Sequence, residues 1–88
     1  MIQEIIPMFV RFIPENLEEG TLYISLEYGT AIHRCACGCG EPTVTPLNSN
    51  GWNLDIRANK VTLRPSIGNF QIACKSHYWI TENKIIWA

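Results

Sequence analysis

The chain has 88 residues, and seven Lys+Arg against eight Asp+Glu leave a formal net charge of -1. Such a balance argues against nucleic-acid binding, which needs clustered positive charge. A hydrophobic share of 47% with only 17% charged residues excludes a disordered chain, and the length fits one small domain spanning residues 1–88. A core of that size contributes so little, about 3–5 kcal/mol, that small domains commonly need a staple.

The opening stretch, Met1 to Ile13, is apolar but broken by Glu4, Pro7 and Arg11. It has neither the basic lead and cleavage site of a secretory signal nor the ~20 residues of a membrane span. These features lead us to expect a cytoplasmic, membrane-free protein, in which clustered thiols hold metal more often than they form disulfides.

Short runs of β-branched and aromatic residues, each ended by Gly, Pro or Asn, follow one another along the chain. They predict strands over 8–13, 21–27, 30–35, 43–45, 52–57, 60–64, 69–74, 78–81 and 84–87. Ala58-Asn59 and Glu82-Asn83 read as two-residue hairpin turns, since Asn tolerates positive φ. Residues 15–19 allow one helical turn at most. The predicted fold class is mostly β, a single small domain of short antiparallel strands stapled by one zinc site. Alternation in the second run places Leu22, Ile24 and Leu26 on one face, with Tyr23, Ser25 and Glu27 on the other. In the third run, Ala31, His33 and Cys35 share a face. Trp52, Trp79 and Trp87 read as core aromatics, and His33 as a half-exposed strand histidine.

The densest chemistry is His33-Arg34-Cys35-Ala36-Cys37-Gly38-Cys39-Gly40-Glu41, together with Cys74-Lys75-Ser76-His77. Three thiols within five residues cannot pair with one another without strain. Gly38 and Gly40 let the backbone curl so that the sulfurs converge, and Cys74-x-x-His77 adds two donors one turn apart. Cys35, Cys37, Cys39, Cys74 and His77 are thus five candidate zinc ligands for at most four places. Either one of them serves another purpose, or three ligands leave an open position.

The segments Leu22-Tyr23-Ile24-Ser25-x-Glu27-Tyr28, His33-x-Cys35-x-Cys37-Gly38-Cys39-Gly40, Pro65-Ser66-Ile67-Gly68-Asn69 and Cys74-x-Ser76-His77-Tyr78-Trp79-Ile80 resemble a small bacterial family of domains of unknown function. The resemblance runs from about Thr21 to the end of the chain. It implies an operon setting of ubiquitin-like conjugation and phage defence, with a ubiquitin-like protein and its conjugation enzymes as partners. It also implies a zinc-dependent peptidase that processes or deconjugates the ubiquitin-like protein. Such an enzyme needs an open metal position, a base and an oxyanion donor. Glu27 is the expected base, with Glu41 as runner-up, and Ser66 the expected oxyanion donor on a turn stiffened by Pro65. A thiol acting as nucleophile beside His77 is a further possibility. The alternative from another class is a non-catalytic structural-zinc module that docks onto the conjugation enzymes.

Overall fold

A computed structural model describes residues 1–70 and 73–88 of the chain. Eight strands form two four-stranded sheets. The first contains β1 (Ile6–Phe9), β2 (Thr21–Ser25), β3 (Thr30–Arg34) and β4 (Pro42–Pro46), in that order. The second contains β5 (Asn53–Arg57), β6 (Lys60–Gly68), β7 (His77–Thr81) and β8 (Lys84–Trp87), again in chain order. No described residue is helical, including the short segment 15–19.

The alternating pattern builds the core. Leu22, Ile24, Ala31 and Cys35 from the first sheet join Val61, Leu63, Ile67, Tyr78, Ile80 and Ile85 from the second in one buried cluster. Burying such side chains contributes about 1.5–3 kcal/mol each before chain entropy is counted. The residues of β2 are buried on both faces. Tyr23, on its back face, accepts a hydrogen bond from the Glu18 amide, so the segment before the strand covers it. Leu26 falls in the turn after β2 and is exposed, which breaks the expected three-residue face.

The pairings are antiparallel with one exception: β1 runs parallel to β2. The long connection over residues 10–20 permits this, because parallel neighbours need a crossover rather than a tight turn. The hairpin turns follow the sequence. Ala58, Asn59, Glu82 and Asn83 all have φ between 46° and 66°, the signature of type I′ turns matched to strand twist. Asn83 is further fixed by its side-chain oxygen, which accepts a hydrogen bond from the Val61 amide at 2.8 Å.

Several boundaries differ from those expected: the first strand runs Ile6–Phe9 rather than 8–13, and the second stops at Ser25 rather than 27. The run 60–64 and the expected turn 65–68 form one strand, β6, carrying an irregularity between Leu63 and Ile67. Pro65 is tolerated because it sits in that bulge, where no ladder hydrogen bond needs its missing N–H. The expected strand over 69–74 lies partly outside the described residues. Its described members, 69–70 and 73–74, are not strand.

Candidate functional site

Cys35, Cys37 and Cys39 sit in the turn that leaves β3, and Cys74 in the connection between β6 and β7, so the four thiols tie the two sheets together. The turn is closed by the Cys35 amide donating to the Glu41 carbonyl at 2.8 Å and the Gly38 amide donating to the Cys35 carbonyl at 3.1 Å. Gly38 and Gly40 take φ of 91° and 85°, which side chains bearing a Cβ rarely adopt. Arg34 clamps the same turn, donating from Nη1 to the Gly40 carbonyl and from Nε to the Leu17 carbonyl, each at 2.6 Å.

All four sulfurs lie within 4.8 Å of one another. Cys35 Sγ is 3.5 Å from Cys37 Sγ and 3.6 Å from Cys74 Sγ. Sulfurs held about 2.3 Å from a tetrahedral centre stand about 3.8 Å apart, so these spacings suit one metal ion. Three polar groups point at the sulfurs. Asn69 Nδ2 donates to Cys35 Sγ at 3.2 Å, the Cys39 amide to Cys37 Sγ at 3.3 Å, and Ser76 Oγ to Cys74 Sγ at 3.3 Å. Such donors stabilise thiolate ligands.

The thiol acidities reflect the crowding. The Ser76 hydroxyl holds Cys37 down to about 6 despite desolvation, helped by the Cys39 amide. Cys74 is likewise lowered, chiefly by the hydroxyl and amide of Ser76. The Glu41 amide draws Cys39 down, but desolvation and the Cys37, Cys74 and Cys35 sulfurs together push it up to about 12.

Behind the turn lies a buried polar network. His33, fully buried rather than half-exposed, places Nε2 2.7 Å from the Tyr78 hydroxyl, which also accepts from the Ala36 amide at 3.3 Å. Burial pushes His33 down to about 4 and raises Tyr78, so both are neutral near pH 7.

His77, the fifth expected donor, is not part of the thiol cluster among the described residues. Its Nε2 instead lies 2.7 Å from Ser66 Oγ. The two side chains come from adjacent strands, β6 and β7. Gly68 is registered opposite His77, so Ser66 reaches the imidazole diagonally on the half-buried outer face of the sheet. The Phe70 ring packs edge-on against His77, with centroids 5.5 Å apart. Among the described residues no carboxylate hydrogen-bonds His77.

Glu27 is elsewhere. Strand β2 stops at Ser25, leaving Glu27 in an exposed turn, where its Oε2 accepts a hydrogen bond from Arg11 Nε at 2.9 Å. The structure therefore does not bring Glu27 to the thiols or to His77. Glu41 contributes backbone groups to the thiol turn and its side chain is exposed. The sequence reading named both Ser66 and His77 but missed their pairing. No local spacing announces it, because it depends on the register of β6 against β7.

A hydroxyl within hydrogen-bond distance of an imidazole is a pair that can act as nucleophile and general base. Residues 9–88 match the family model for the bacterial ubiquitination-like system serine protease, BubE, and the chain belongs to that family. The association with a ubiquitin-like system agrees with the sequence resemblance, whereas the protease class carries the serine rather than the zinc designation. No curated protein and no solved structure matches the chain. No helix among the described residues is long and apolar enough to cross a membrane.

Proposed function

We propose that the protein is a serine protease in which Ser66 is the nucleophile and His77 its general base. Its substrate is the carboxyl-terminal region of a ubiquitin-like protein, as a precursor or as a conjugate. The observation that carries this reading is the 2.7 Å contact between Ser66 Oγ and His77 Nε2. In the reaction Ser66 Oγ attacks the carbonyl carbon while His77 Nε2 takes the hydroxyl proton. The imidazolium then returns that proton to the departing amine, and water, activated by the same imidazole, hydrolyses the acyl-enzyme. The family description supports the reaction class and the setting, and a role in phage defence belongs to the same proposal.

In this reading Cys35, Cys37, Cys39 and Cys74 hold a structural zinc ion. Four thiolates complete a tetrahedral set and leave no place for an activated water. Zinc-dependent hydrolysis, with His77 as ligand and Glu27 as base, draws less support, because His77 faces Ser66 and Glu27 pairs with Arg11. A purely docking module leaves the half-buried Ser66–His77 contact without a purpose.

The test mixes the purified protein with a ubiquitin-like precursor encoded beside it and follows cleavage by mass spectrometry. Ser66→Ala should abolish cleavage with zinc still bound at one ion per chain, while Glu27→Gln should cut at the wild-type rate. Full activity in Ser66→Ala, or loss of activity in Glu27→Gln alone, reverses the assignment.

A further inference from the structure

Hydrogen bonds at the ends of two strands fix where their backbone groups point. The Asn69 amide donates to the Ser76 carbonyl at 2.7 Å, across to the β7 side. Residues 67 and 69 therefore face β7, and the N–H and C=O of Gly68 face away from it. The strand on that other side, β5, pairs with β6 only as far as Asn53↔Arg64, so among the described residues Gly68 has no strand partner there. In β4, the Cys35 amide donates to the Glu41 carbonyl and the Leu47 amide to the Gly29 carbonyl. Residues 41, 43, 45 and 47 thus face β3, and the N–H and C=O of Val44 point outward from the sheet edge. Pro42 and Pro46 flank Val44 and lack N–H groups, so this edge offers one short pairing site and resists longer strand addition.

Both free sites border one cavity of about 290 Å³, lined by Thr43, Val44, Trp52, Ile67, Gly68 and Phe70 among others. Polar and apolar surface share its walls about equally, with Trp52 and Phe70 among the apolar residues, and the Trp52 indole N–H has no acceptor among the described residues. Gly68 lies two residues from Ser66, about 6.6 Å along an extended strand. Phe70, beside the cavity, also touches His77.

Resting on the serine-protease reading, the geometry points to a substrate cleft in this bracket between β4 and β6. The acyl-side segment of the substrate polypeptide lies extended there and pairs its backbone with Gly68 and Val44. One large side chain, within two residues of the cleaved bond, enters the cavity with its apolar surface against Trp52 and Phe70. Main-chain pairing gives affinity and the pocket gives selectivity, as in strand addition generally. The acyl side is the one that must stay seated, since it remains bonded to Ser66 Oγ between the two half-reactions.

The test has two arms on the wild-type protein. A fluorophosphonate probe reports whether Ser66 is an activated nucleophile, and an internally quenched hexapeptide library reports selectivity. Ser66 should be labelled, and one acyl-side position within two residues of the cut should favour Leu, Ile, Met or Phe over Asp by at least about tenfold in kcat/KM. N-methylation of the backbone there should cost about tenfold. Val44→Pro, which removes the one outward N–H of β4, should lower kcat/KM for the best peptide by about tenfold, mainly through KM. A labelled Ser66 with a library that is uncut, flat or indifferent to N-methylation overturns the cleft and leaves the nucleophile standing. An unlabelled Ser66 overturns both.

Discussion

Tyr78→Phe tests the network that backs the thiol turn. The variant keeps the ring, its fully buried position and its edge contact with Trp87 at 5.1 Å, and deletes only the hydroxyl. Two buried groups then lose their partner: His33 Nε2 at 2.7 Å and the Ala36 amide at 3.3 Å. His33 cannot escape by charging, because burial already holds it down to about 4, and its Nδ1 has no partner among the described residues either. Each orphaned buried group costs about 1–3 kcal/mol, so the variant should lose about 2–6 kcal/mol. Against a total of about 5–15 kcal/mol this is a large share, and for a chain of this length even a 2 kcal/mol loss lowers Tm by about 8–16 °C. Urea unfolding at saturating zinc gives the measurement, because metal binding otherwise moves the midpoint by mass action. Ala36 lies between two of the thiols, so zinc affinity should weaken in the same variant. A loss below about 0.5 kcal/mol with unchanged zinc affinity would refute the claim that this hydroxyl holds the turn in place.

Other perturbations separate the metal from the chemistry. Cys35→Ser, at the buried corner of the cluster, should reduce bound metal from one ion per chain to none by elemental analysis. Chelation of the wild type should likewise lower Tm steeply, since structural zinc contributes apparent ~10–16 kcal/mol in small domains. A wild type that melts identically with and without chelator contradicts a structural ion. Asn83→Ala removes the bond to the Val61 amide and places Cβ-bearing alanine at φ 66°. It should cost about 2–3 kcal/mol in urea unfolding with an unchanged m-value, and Asn83→Gly should recover about 1 kcal/mol of that by relieving the backbone.

Local patterns in the chain are enough to foresee most of the strands and the two hairpin turns. Asn59 and Asn83 mark type I′ hairpins because their short polar side chains tolerate positive φ wherever they occur. The cysteine turn was equally legible, since Gly38 and Gly40 license the curl within a few residues. What could not be read was anything set by register between distant segments. His77 follows Cys74 at a ligand spacing, yet β7 is held on β6 so that the imidazole meets Ser66 and not the sulfurs. Glu27 looked like a strand residue facing the thiols until β2 ended two residues earlier and Arg11, on a separate segment, took its carboxylate. Pro65 signals a turn, since proline commonly ends strands, and only pairing on both sides of the bulge keeps β6 running through to Gly68. Residue types and short spacings act within a turn or a strand, so the sequence alone determined most of the strands, the two hairpins and the close spacing of Cys35, Cys37 and Cys39. Which side chains meet across strands depends on how two sheets bury one core, and that only the tertiary structure decided.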